Sequence, residues 1–257
     1  MFYKEIYQMR FRIIVFVLVF IALAFMMMAF KPMFDELMEV YSQASASNSN
    51  EFIESLKAIS TAPEKINENT WFLATQWYGK NYGQFIPLLA LIMSLPLICR
   101  ETENKTIYIL LSKFKRKDII ITKYLSGLVG MITVIFLANI SGPIVMKLFG
   151  YNVNAFTGMY ALAPEIIGST FIFSVFFMIS VICNEILKPM IIGIVIVVIL
   201  PLSTAFINSS IFDIFTYMTG IKYLLNTDSQ LAYSSVLIIL SVILFYLSLK
   251  FFERKEF

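Results

Sequence analysis

The sequence predicts an all-α polytopic membrane protein. Hydrophobic residues make up 59% of its 257 positions, and the mean hydropathy is +0.79. Charged residues make up 14%, against about 25% in an ordinary soluble domain. Uncharged runs of 18 or more residues recur along the chain, and each is long enough to cross a hydrocarbon core of roughly 30 Å as a helix. Together these features predict a single membrane domain over 1–257 with six transmembrane helices.

The opening segment, 1–12, "MFYKEIYQMRFR", places Phe2, Ile6 and Met9 at spacings of four and three, with Lys4, Glu5, Gln8 and Arg12 elsewhere on the helical wheel. That pattern suits an amphipathic helix lying in the membrane interface, or a helical extension of the first span. Span one covers 13–30. It is longer than the 7 to 15 residues of a signal-peptide apolar region and no small-x-small cleavage site follows it, so it is read as permanent.

Residues 31–80 form the largest segment outside the spans. "PMFDELMEVYSQ" reads as a short helix with Pro32 in its first turn. "SQASASNSN" reads as a flexible joint, and "EFIESLKAIS" as a second short helix with Phe52, Ile53, Leu56 and Ile59 on one side. The segment is too small for an independently stable domain. Its last part carries Trp71, Trp77 and Tyr78, followed by Tyr82; these suit an aromatic belt at headgroup level, or a face turned toward a substrate.

Span two covers 81–99 and a charged inner loop 100–123. Span three follows at 124–146, span four at 166–184 and, after the tight turn "NEILKP", span five at 189–207. In 208–228, Ile211, Ile214, Phe215 and Met218 predict a short helix at the outer surface. Asp213, Lys222 and Asp228 interrupt that run, and a charge at mid-bilayer is costly. Span six covers 229–249 and the tail 250–257. Pro87, Pro96, Pro143 and Pro201 predict kinks, and Gly127, Gly130 and Gly142 permit close helix contact.

Orientation follows from the Lys/Arg bias of short loops. With the N-terminus inside, the inner segments hold 14 of the 20 basic residues against seven of the 17 acids. Both termini are therefore expected in the cytoplasm of a cell bounded by a bacterial-type plasma membrane. Cys99 and Cys183 then fall at inner span ends, where disulfides rarely persist, and read as small buried hydrophobes.

Several chemistries lack their residues. The chain has no His, so neither a Ser/His/Asp triad nor a His-based metal site can form. It has no G-x-x-x-x-G-K-[ST] loop to cradle nucleotide phosphates and no G-x-S-x-G elbow. Glu165 and Glu185 are expected at opposite faces of the membrane, so no carboxylate dyad forms between them. No ionisable side chain falls inside the six spans as drawn. Glu165 marks the outer mouth of span four, either as a solvated helix N-terminus favoured by the dipole or, with Trp71, Trp77 and Tyr78, as part of a substrate pathway or outer interface.

The inner loop is the densest chemistry in the chain. Residues 100–124 carry ten charged side chains, seven of them basic. Ile107, Leu110, Leu111 and Phe114 fall at i, i+3, i+4 and i+7, giving a short helix with an apolar stripe. Glu101 and Glu103 precede the stripe; Lys113, Lys115, Arg116 and Lys117 follow it, matching the helix dipole. Asp118 can start a new helix leading into span three.

Glu101, Lys105-Thr106, the run Ile109-Leu110-Leu111, the basic break at Arg116 and Lys123-Tyr124 together resemble the segment between the second and third spans of ABC-2 type permeases, the type-2 ABC exporters. The six-span plan with a long segment after span one is similar too. The resemblance implies that Glu101, Thr106, Leu110, Leu111, Lys115 and Arg116 are coupling residues for a separate ABC ATPase, which would bind ATP and Mg. It further implies two ATPase copies and a second permease, identical or related, with no enzymatic site in this chain. The family's small members often export peptides, including antimicrobial peptides and toxins, or confer immunity to them. The alternative is a non-transporting membrane sensor or immunity protein that binds peptide through its outer loop.

Overall fold

The structure, a computed structural model, describes residues 2–45, 68–206, 214–224 and 231–255. Every regular element among them is helical, and five helical stretches are long and apolar enough to cross a membrane: Phe2–Glu36, Asn69–Glu103, Arg116–Leu148, Met159–Ile182 and Leu231–Arg254. A shorter apolar helix, α8, is described below.

Helix α1 spans Phe2–Ser45. Its 44 residues extend roughly 66 Å at 1.5 Å per residue, about twice the hydrocarbon thickness. Residues 2–12 are thus the first turns of the span-one helix, because no Gly, Pro or cap separates Arg12 from Ile13. Pro32, expected in the first turn of a new helix, lies inside α1. Lys31 spans the proline to reach Asp35 at 2.8 Å and sits over the rings of Phe72 (5.0 Å) and Tyr151 (4.4 Å), tethering the helix at the point where Pro32 removes a backbone hydrogen bond. The expected helix in 51–60 and most of the joint before it lie outside the described residues.

Span two changes pitch repeatedly. Helix α2 (Glu68–Phe72) runs into a π-helical stretch, Leu73–Asn81, then a 3₁₀ turn, Gly83–Phe85. Helix α3 (Ile86–Ser94) follows, with Pro87 in its first turn; Pro96 sits in a second 3₁₀ turn, Leu95–Leu97; and α4 (Cys99–Glu103) completes the stretch. Each proline lacks a backbone N–H and falls where the α-helical ladder is interrupted.

Wide helical turns aim the aromatics inward. Trp77, Tyr78 and Tyr82 are fully buried, so the expected belt at headgroup level is replaced by a packed aromatic cluster. Trp77 stacks on Tyr82 with ring centroids 5.7 Å apart and planes 14° apart, and Phe20 of α1 meets Tyr82 edge-on at 5.4 Å. Gly142 allows the closeness, since a Cβ there would lie 2.5 Å from Trp77 Cδ1.

Helices α5 (Ile107–Lys113), α6 (Arg116–Leu148) and α7 (Met159–Ile182) come next. The last two carry the deepest core. Tyr124 of α6 packs within 5.5 Å of Phe173 and 5.1 Å of Phe177, and its hydroxyl meets Ser174 Oγ at 2.8 Å. Helix α8 (Leu187–Phe206) is apolar from Pro189 to Leu202; Ile191, Val195, Val198 and Ile199 on it are exposed, a surface suited to lipid rather than water.

The expected outer-surface helix between spans five and six is instead a pair, α9 (Ile214–Thr219) and α10 (Ile221–Leu224), broken at Gly220 with φ +68°. Tyr217, Met218 and Thr219 are buried, because Gly168 of α7 leaves room for Met218. Helix α11 (Leu231–Arg254) closes the bundle. Cys99 and Cys183 are free thiols, and Cys99 is buried.

Candidate functional site

The charged loop 100–123 folds as α4, a turn, α5, and the first turn of α6. Lys105 adopts a left-handed conformation, φ +58°, to reverse the chain. The Thr106 hydroxyl donates to the Glu101 backbone carbonyl at 3.2 Å and to the Glu101 carboxylate, stapling the turn. Extended backbone at Phe114 and Lys115 ends α5 and launches α6 at Arg116, with Asp118 in its first turn.

Beneath the turn lies a buried ionic triad. Lys123 Nζ donates to both carboxylate oxygens of Glu5, each at 3.1 Å, and to Glu101 Oε1 at 3.2 Å. The Lys123 side chain is 1% exposed, that of Glu5 8% and that of Glu101 22%. An ammonium has three donors, and all of these contacts are charge-assisted. One lysine therefore ties the first turns of α1 to α4 and α6.

A second set of contacts anchors the loop to the far side of the bundle. Arg116 Nη1 donates to the carbonyls of Phe252 (3.2 Å), Glu253 (2.8 Å) and Lys255 (2.7 Å), capping the end of α11 where carbonyls lack helical partners. Lys255 Nζ donates to the carbonyls of Val181, Ile182 and Cys183 at the end of α7. Glu103 accepts a hydrogen bond from the Ile186 backbone N–H at 3.1 Å, just ahead of α8, while Cys99 Sγ donates to the Ser180 carbonyl at 2.9 Å. Replacing Arg116 with alanine removes a charged donor from three carbonyls. Hydrogen exchange at residues 250–255 is expected to accelerate roughly tenfold, as a charged hydrogen bond contributes about 1.5–3 kcal/mol; unchanged protection would show that Arg116 does not hold this end.

Glu101, Thr106, Leu110, Leu111, Lys115 and Arg116 thus take different positions. Glu101, Thr106 and Arg116 brace the loop from within. Leu110 and Leu111 are half-buried and pack on the core beside buried Ile107. Lys115 is exposed. The outward face also holds Tyr108 (51% exposed), Ile109 (60%) and Phe114 (42%), with Lys113. Tyr108 and Ile109 were not distinguished by the stripe pattern; exposed apolar side chains flanked by lysines are visible only once the inward face of α5 is known.

At the other end of the bundle, Glu165 is fully buried rather than solvated. Its Oε2 accepts hydrogen bonds from Asn139 Nδ2 (2.8 Å) and the Tyr82 hydroxyl (3.0 Å), and the Tyr78 hydroxyl donates to the Asn139 carbonyl at 2.8 Å. The described spans therefore do contain buried ionisable groups, Glu165 and Lys123. Glu185 remains exposed and pairs with Lys188 at 3.1 Å. Tyr78, Glu165 and, through its stacking on Tyr82, Trp77 converge on one network; Trp71 is half-buried and its carbonyl accepts from Thr75 Oγ1 at 3.0 Å. Tyr82, already grouped with the aromatic cluster, and Asn139 complete the network; sequence spacing does not reveal their pairing with Glu165, 83 and 26 positions away.

A family model described as ABC-2 family transporter protein matches residues 2–257. No curated protein and no solved structure matches the chain.

Proposed function

Because the chain belongs to the ABC-2 family of transporter proteins, and is on that footing a membrane-spanning permease subunit of an ABC exporter, we propose that it moves an amphipathic or hydrophobic peptide out of the cell. Two copies of an ABC ATPase bind and hydrolyse the ATP, with Mg. A second permease, identical or related, completes the pathway, and both termini face the cytoplasm.

The observation that carries this reading is the outward face of α5. Tyr108, Ile109 and Phe114 present exposed apolar area, with exposed Lys113 and Lys115 on either side of Phe114. Such a combination suits a protein partner, since aromatic side chains are favoured as interface anchors. Behind that face, the loop is held at three points: Lys123 to α1, Glu103 to the start of α8, and Arg116 to the end of α11. A push from a docked ATPase therefore reaches the spans as movement of a braced unit and is not absorbed by a slack loop.

The substrate class rests on the family resemblance and on the modest segment between spans one and two, which shortens further once 31–36 and 69–80 join the helical stretches of those spans.

The test places substitutions on the exposed face and leaves the braces alone. Tyr108→Ala with Ile109→Asp is expected to cut recovery of the ATPase on the purified permease about tenfold or more and to abolish transport, while thermal unfolding of the isolated permease stays close to that of the parent. Lys113→Glu with Lys115→Glu is expected to weaken recovery by a smaller factor. Full ATPase recovery on the Tyr108/Ile109 variant would refute α5 as the docking element.

A further inference from the structure

Between the first turns of α1 and the α4–α5 turn lies a cleft of about 760 Å³, a size common for small-ligand sites. Its walls include Lys4, Arg12, Arg100 and Lys113, together with the Lys123–Glu5–Glu101 triad. Both acids contact Lys123. The other four cations form no salt bridge among the described residues, which leaves the cleft with an excess of positive charge. Met9 and Leu97 supply apolar wall beside them.

The depth of this cleft is marked independently. Tyr3, Tyr7, Phe11, Ile14 and Leu18 of α1 are 50–82% exposed and follow one another at spacings of four and three, forming one continuous stripe from the span into the first turns. That stripe has a lipid-suited composition down to Tyr3, so residues 2–12 sit at the edge of the bilayer. Arg10 lies over the Tyr7 ring at 3.7 Å, a pairing of an aromatic ring and a basic tip typical of headgroup level. Lys4, Met9 and Arg12 of the same turns line the cleft, with Met9 and Arg12 on the side away from that stripe. Arg12 and Arg100 sit where spans one and two leave the apolar layer.

We propose that this cleft binds the headgroup of an anionic phospholipid, with the phosphate among Arg12, Arg100, Lys4 and Lys113 and the upper acyl chain along Met9 and Leu97. Basic pockets between membrane helices take such headgroups, and arginine matches phosphate geometry with paired donors. The bound lipid lies against α1, α4 and α5 at once, beside the triad. The proposal does not depend on the identity of the exported substrate; Ile109, Lys113 and Phe114 line both this cleft and the outward face of α5, so the two readings are separated at Lys4, Arg12 and Arg100, which lie outside α5.

The full chain is purified in mild detergent and re-equilibrated with equal amounts of dioleoylphosphatidylglycerol and dioleoylphosphatidylcholine, and retained lipid is counted by native mass spectrometry. The parent is expected to retain phosphatidylglycerol at least tenfold over phosphatidylcholine. Arg12→Gln with Arg100→Gln is expected to reduce that preference by roughly 10- to 30-fold, since each basic side chain near an anionic lipid surface contributes about one factor of five. Lys4→Gln with Lys113→Gln, on α1 and α5, is expected to do the same in part, and Arg12→Lys with Arg100→Lys to keep most of it. The Lys4/Lys113 pair keeps the test open should the arginine variant fold poorly, since neither lysine is buried.

Equal retention of the two lipids by the parent, or an undiminished preference in both Gln variants, overturns the proposal. Displacement of the lipid by millimolar inorganic phosphate assigns the site to free phosphate and overturns the lipid. Loss of ATPase recovery in the Gln variants with phosphatidylglycerol retention unchanged assigns the cations to a protein contact, which also overturns it.

Discussion

Replacing Lys123 with methionine is expected to destabilise the permease by about 3–5 kcal/mol, because Glu5 and Glu101 are left facing each other in a buried site without their cation. In a chain of this size the thermal midpoint should fall on the order of 10 °C. The sign of the effect comes from the orphaned charges rather than from any intrinsic strength of the ion pairs. The triple variant Lys123→Met, Glu5→Gln, Glu101→Gln should therefore recover most of the stability, as neutral replacement of a whole buried ion cluster often does. Transport should remain lost in the triple variant even where stability returns, since the tie between α1, α4 and α6 is gone. A Lys123→Met variant that unfolds at the parental temperature would remove the triad from any structural role.

Trp77→Ala is expected to cost about 3–5 kcal/mol. The side chain is fully buried, stacks on Tyr82 and fills the notch opened by Gly142, so its loss leaves a cavity between span two and span three that a rigid bundle cannot close. Trp77→Phe keeps a ring over Tyr82 and should lose less than half as much. Chemical or thermal unfolding in detergent distinguishes the two. Equal stability of Trp77→Ala and the parent would place Trp77 at the lipid surface, as an aromatic belt requires.

Much of the scaffold is legible in run length alone. The uncharged stretches 13–30 and 124–146 each lie within one long helix, as do 166–182 of the fourth stretch and 231–249 of the sixth, because an apolar run that length has few other ways to satisfy its backbone in lipid. Span two is less visible. Lys80 ends its uncharged run, while the helical stretch continues back to Asn69 through π-helical turns in which Lys80 alone among the nearby residues Trp77 to Asn81 is exposed. The apolar stripe of α5 was readable from spacing: Ile107, Leu110 and Leu111 do face the core, and only Phe114 departs, where the backbone becomes extended.

Buried charge was the least legible feature, for a definite reason. Hydropathy scores a carboxylate by its own identity, whereas its burial depends on partners supplied by other helices. Glu165 is satisfied by Asn139 and Tyr82, and Lys123 by Glu5, 118 positions away. Neither partnership leaves a local pattern. The candidate site was accordingly half visible: the helix, its charge polarity and its apolar side could be read, but not which residues brace it internally and which remain free to meet a partner.

Helix α1 has one further consequence. It runs without interruption from the triad at Glu5 to the Lys31–Asp35 clasp against Phe72 and Tyr151. A continuous helix shortens and lengthens very little, so it behaves as a pushrod: an axial shift of a few ångströms at one membrane face reappears nearly undiminished at the other. The Lys31 rim of the bundle is mechanically informed of what happens at the charged rim, without any hinge in between at which the message could be lost.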